Sequence, residues 1–78
     1  MAGHRIRNWW WVKPGLWKQG HQNLWIEFDQ EQRVYVLHGF YRDKQAPNVA
    51  CGLYIAEALD LAEDWMRHRD AELVAPYL

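Results

Sequence analysis

Six tryptophans, four tyrosines and two phenylalanines crowd into 78 residues that hold one cysteine. A chain this short buries only about 60–65% of its unfolded surface, so its stability margin is thin without a staple. The lone Cys51 excludes an intrachain disulfide. The aromatic side chains therefore have to supply the core, each removing about 150–250 Å² from water when buried. That allows one core, and one domain over residues 1–78.

The apolar pattern places strands before a helix. Residues 6–13 are rich in β-formers and stop at Pro14-Gly15. Residues 23–29 alternate well enough for a second strand, and the polar run 29–32 suits a hairpin loop before a third strand at 33–42. Gly39, inside that strand, marks a bulge or a close approach of another backbone. Asn48 is a good N-cap, and Gly52, Ile55, Leu59, Ala62 and Met66 recur at helical spacing, which predicts a helix over about 49–69 with Arg67, His68 and Arg69 at its end. Gly52 weakens the start, so residues 49–54 read alternatively as extended. The expected fold is α+β, a three-stranded antiparallel meander packed against one C-terminal helix.

Strand periodicity then assigns faces. Leu24, Ile26 and Phe28 are expected to meet the helix together with Val34, Val36 and Phe40, and with Ile6, Trp10 and Val12. Trp9, Trp11, Trp25, Tyr35 and Tyr41, with Leu37, fall on the far face, framed by Arg7, Lys13 and Arg33. A monomer rarely leaves so large an apolar surface to water. Its cover is the chain's own segments (residues 16–17 and the tail 74–78), a protein surface such as a second copy or a foreign partner, or single-stranded nucleic acid stacked on the aromatics.

Charge is polarised along the chain. Seven basic residues oppose four acidic ones in residues 1–44, and two oppose six in residues 45–78. The helix carries Glu57, Asp60 and Asp64, beside Glu63, as an acidic face. Such a run is ordinarily a solvated surface; read as a site, it steers toward a basic partner. Membership in a nucleic-acid-binding class is favoured less, because tryptophan dominates and the basic residues are few.

Catalysis finds no foothold. The chain contains neither Ser nor Thr, and His4, His21, His38 and His68 stand at no metal-ligand spacing with each other or with Cys51. Cys51 is expected to pack as a small hydrophobe. No Gly-rich loop opens a helix for phosphate. No catalytic residue, metal or cofactor is therefore expected. No apolar stretch follows the basic N-terminal residues, and residues 9–12 are too short to cross a bilayer. With a free thiol, this points to a soluble cytoplasmic protein.

The order of a Trp/Tyr-rich meander and then a helix reading Ala-Glu-Ala-Leu-Asp-Leu-Ala-Glu-Asp-Trp (Ala56 to Trp65) resembles small phage proteins of the anti-CRISPR inhibitor type. The resemblance is one of architecture over most of the chain and carries no functional residue across. It implies a stoichiometric inhibitor, at work in the host cytoplasm, that docks on a CRISPR effector complex and blocks DNA binding or nuclease recruitment. The reading is thus a non-enzymatic protein-binding module; the alternative is a small single-stranded nucleic-acid-binding domain using a basic-aromatic sheet face.

Overall fold

The computed structural model describes residues 4–47 and 50–74. They form strands β1 (Arg5–Ile6), β2 (Trp9–Lys13), β3 (Leu16–Gln19), β4 (Asn23–Asp29), β5 (Val34–Tyr41), β6 (Lys44–Gln45) and β7 (Ala50–Gly52), then helix α1 (Ile55–Val74). The class is α+β, with one antiparallel sheet and one helix. The sheet, however, has seven strands: β1 to β6 lie side by side in chain order, and β7 pairs with β5.

The three-strand expectation fails because its breakers are hairpin turns. Arg7 and Asn8 turn the chain between the pair Ile6↔Trp9, which splits the expected first strand. Pro14-Gly15 turns it again between Lys13 and Leu16, with Gly15 at φ +83° as this tight turn requires. Leu16–Gln19 is consequently a full strand between β2 and β4, not a flap over the sheet. Gln19, buried despite its amide, accepts hydrogen bonds at Oε1 from the His21 and Gln22 backbone N–H groups (2.6 and 2.7 Å) and so closes the next turn.

The helix starts at Ile55, as the alternative extended reading before Gly52 allows and later than the 49–69 reading, and runs on to Val74. Gly52 at φ +124° cannot be helical, and the segment before it pairs with Tyr35 and Val36 instead. The first turn is held by the Glu57 carboxylate, which accepts from the Leu53 backbone N–H at 3.4 Å. Arg67, His68 and Arg69 lie within the helix rather than at its end. Asn48, the expected cap, lies outside the described residues, as do the Cys51 side chain and the tail from 75 onward.

The core lies between the sheet and α1. Trp9, Leu24, Ile26, Leu37 and Leu59 are its largest fully buried side chains, with Tyr41, Ala46, Ala58 and Ala62. Leu59 and Ala62 sit where the helical spacing puts them, packed with Ile26. The sheet phase is another matter. Asp29 and Val34 close a four-residue loop, so even-numbered residues of β4 face odd-numbered residues of β5: Ile26 opposes Leu37, and Leu24 opposes Gly39. The helix side of β5 is thus Tyr35, Leu37 and Tyr41, and Phe40 turns outward. In β2 the buried residue is Trp9, while Trp10 and Val12 are exposed. A one-residue error in register moves every side chain to the other face.

Among the described residues, the three non-glycine residues with positive φ are arginines at turns: Arg7 (54°), Arg33 (58°) and Arg42 (57°). A left-handed backbone costs an L-residue about 1–2 kcal/mol. Arg7 and Arg42 recover part of this through α1. The Arg7 guanidinium meets Asp60 and Glu63, each at 2.9 Å, and Arg42 meets Asp70 at 3.1 Å. Arg33 has no ion-pair partner among the described residues; only its N–H is engaged, donating to the Asp29 carbonyl at 2.7 Å. Arg33→Gly is therefore expected to stabilise the fold by about 0.5–1 kcal/mol, the relief of strain less the extra entropy of an unfolded glycine. Urea denaturation reads this directly, and an unchanged or lower midpoint would show that Arg33 is not strained.

Candidate functional site

Backbone pairing carries one row of side chains across the sheet on the side away from α1. Arg5 pairs with Trp10, Trp10 with Lys18, Lys18 with Trp25, and Trp25 with His38. Leu16 and Glu27 form the neighbouring row with Val36, and Phe40 lies beyond His38 on β5. Among the described residues of this face only Val36 is buried. Trp10 is 42% exposed, Val12 52% and Phe40 44%, large values for apolar side chains that share one surface. Trp25 and Leu16 are half-buried between them.

This surface differs from the expected one in its members. Trp25 belongs to it, and Lys13 stands at its rim beside Leu16. Trp9 and Tyr41 do not: Trp9 is 0% exposed under the helix, its indole N–H donating to Glu63 at 3.2 Å. Tyr41 is buried edge-on to Trp65, and its hydroxyl donates to the Asp70 carboxylate at 2.9 Å. Tyr35 is half-buried on the helix side, in an edge contact with Phe28. Trp11 also points to the helix side, exposed near its margin and packed against the His4 ring. Arg7 is spent on the helix, and Arg33 stands on an exposed turn.

The face's true members Trp10, Val12, Leu16, Lys18, His38 and Phe40 were expected in the core or left unassigned. The signal that finds those on β5 is turn length. The four-residue loop after Asp29 fixes which parities of β4 and β5 share a face, whereas in β2 a register shift between Trp11 and Lys13 reverses the parity set at the Pro14-Gly15 turn, so turn length alone does not find its members.

The acidic helix face is largely engaged within the molecule. Asp60 pairs with Arg7, Asp64 with Arg67 at 3.0 Å, and Glu57 serves the helix start. At the other end Arg69 bonds Asp43 at 2.9 Å and Glu72 at 3.3 Å. The hydrogen bond from Arg69 holds the Asp43 carboxyl below its ordinary value. A lowered folded-state value means this contact contributes fully above the unfolded Asp range and is lost as pH falls through the folded one. The Asp43 carboxylate is solvated, so the contribution is small.

Between Val12, Leu16, Lys18, Trp25 and Glu27 the open face dips into a notch of about 290 Å³. A hollow of about 420 Å³ around the Pro14-Gly15 turn shares Leu16 and Glu27 with it. The Lys18 ammonium is positioned rather than free, donating to the Gln19 and Gln22 carbonyls at 3.2 and 2.6 Å. Arg5 lies over the Trp10 ring at 5.2 Å, and His38 stacks on Trp25 at 5.8 Å and 19°. Among the described residues, no three His, Cys, Asp or Glu side chains gather as a metal site would need, and no helix is long and apolar enough to cross a membrane.

Comparison with protein-family models, curated proteins and solved structures returns no match.

Proposed function

We propose that this chain is a non-enzymatic binding module whose partner, a protein, docks on the open face of the sheet. The observation that carries the reading is the exposure of Trp10, Val12 and Phe40 on one surface, around the half-buried Trp25. Tryptophan and other large, rigid aromatics are enriched at binding hot spots because they bury much area at little rotamer cost. On the resemblance to anti-CRISPR inhibitors, the partner would be a subunit of a CRISPR effector complex. The aromatic sheet face, rather than the acidic helix, is then the docking surface, because Asp60 and Glu63 already meet Arg7.

The nucleic-acid alternative is less well supported by the same face. Both indoles already have a neighbour on one face, Arg5 over Trp10 and His38 on Trp25, which leaves less ring surface for a base to stack on.

Photocrosslinking tests the proposal. With the photoreactive residue p-benzoylphenylalanine at Phe40, in the cells that naturally make the protein, one discrete protein adduct is expected. It should weaken in a Trp10→Ala background and be absent when the label sits at Asp64 on the helix. Equal adducts from both positions, no adduct, or an adduct only to nucleic acid would refute it. An adduct of twice the chain's own mass would make the face a self-association surface instead.

A further inference from the structure

We infer that the notch between Val12, Leu16 and Trp25 is the anchor point of the open face, and that it takes one bulky apolar side chain from an acidic protein segment. The inference rests on the docking reading above and names the chemistry of the partner.

Three observations support it. The first is size. At about 290 Å³ the notch stands at the floor of small-molecule pockets, which run from about 300 to 1,000 Å³. It suits a side chain better than a cofactor. The second is its composition: the walls come from Val12, Leu16 and the Trp25 indole, with the charged Lys18 and Glu27 at the sides. Burying a partner's leucine or phenylalanine there removes apolar surface on both molecules, as a hot-spot pocket does.

The third observation is charge. Taken whole, the chain is nearly neutral, at −1. Its acids, however, are mostly committed on the helix side, where Asp43, Asp60, Glu63, Asp64, Asp70 and Glu72 all meet arginines. On the open face Arg5, Lys13 and Lys18 confront Glu27 and, two residues further along β4, Asp29, which leaves one net positive charge among these residues. The local field is therefore positive although the molecule is not. A complementary partner presents carboxylates around its apolar anchor, and these raise the association rate at low salt. Lys18 is the best placed of the three cations. Its ammonium is held by two turn carbonyls beside the notch and retains a third N–H for a partner's carboxylate.

The probes are three fluorescein-labelled molecules: a twelve-residue Asp/Glu peptide with one central Leu, the same peptide with central Ser, and a twelve-nucleotide oligo-dT. Anisotropy gives affinity, and amide and methyl NMR of the full chain gives location. The Leu peptide is expected to shift Val12, Leu16 and the Trp25 indole N–H. The Ser peptide should bind at least roughly tenfold more weakly. Val12→Glu, at an exposed position that leaves the fold intact, should weaken the Leu peptide by a similar factor, and Lys18→Gln should flatten its salt dependence. Equal binding of the Leu and Ser peptides, shifts confined to the helix side, tighter binding of oligo-dT, or no detectable binding of any probe would each overturn the inference. If the Phe40 crosslink to protein persists in that event, only the partner chemistry falls; if it is lost as well, the docking face falls with it.

Discussion

Trp9→Ala should cost about 3–5 kcal/mol, as truncation of a buried tryptophan generally does. At about 0.05–0.15 kcal/mol per residue, a chain this size has about 4–12 kcal/mol in all, so the variant is expected to lose a large share of its stability and to melt far below the parent. Its neighbour gives the contrast. Trp10→Ala removes an exposed indole from the opposite face and should cost under about 1 kcal/mol. Two identical substitutions, one residue apart, thus separate core from surface. Trp9→Phe is intermediate: it keeps a six-membered ring in the core but loses the 3.2 Å hydrogen bond to Glu63 and leaves a void where the five-membered ring stood, a loss of about 2–3 kcal/mol. Urea denaturation of the three variants measures all of these. Equal losses at Trp9 and Trp10 would show that the sheet phase described above is inverted.

Gly39→Ala is expected to be nearly as damaging, although it only adds a methyl group. Gly39 has φ +98°, a conformation L side chains rarely adopt. A Cβ there would collide with the Asn23 carbonyl oxygen on β4 and lie 2.9 Å from the Trp25 ring. Neither neighbour yields cheaply, since one is backbone in the adjacent strand and the other is wedged beside His38. A loss of about 3 kcal/mol follows from strain and collision together. For a domain of this length that lowers Tm by about 12–24 °C. A drop of only a few degrees would mean that β4 and β5 can separate locally. The same variant should also disturb the open face, because Trp25 would be pushed from its place.

How much of this was legible in the sequence differs from element to element. The helix was, because Leu59, Ala62 and their neighbours repeat with a period that only a helix satisfies, and their burial follows. Its start was legible only as an alternative: Gly52 marks the break, and the extended reading before it holds where Ala50–Gly52 pairs with β5, though no local pattern announces that partner. The strands at 23–29 and 33–42 were legible to within a residue or so. Their faces were not: Val34-Tyr35-Val36-Leu37 is apolar at every position, so alternation cannot say which parity faces inward. Three consecutive tryptophans at 9–11 pose the same ambiguity. The loop after Asp29 resolves it for β5 by its length, while in β2 a bulge between Trp11 and Lys13 sets the phase; Arg7-Asn8 and Arg42-Asp43 are turns that composition hides, since arginine is no usual occupant of a left-handed position. For the open face, the excess of aromatic surface was readable, but its members depended on the phase. Only Trp25 and Lys13 carried over.

The strands also lie in the sheet in the order in which they occur in the chain, from β1 through β6. Each of these pairings closes a loop of only a few residues, so little chain entropy is lost before the contact is made. The meander can therefore zip from hairpin to hairpin without waiting for distant segments to meet, a topology associated with rapid folding. The long-range closures fall to the helix, as Arg7 reaches Asp60 and Glu63, and Trp9 reaches Glu63, across more than fifty residues. A nascent chain emerging N-terminus first would thus have its sheet paired, with Trp9 still uncovered, until α1 arrives to seal it.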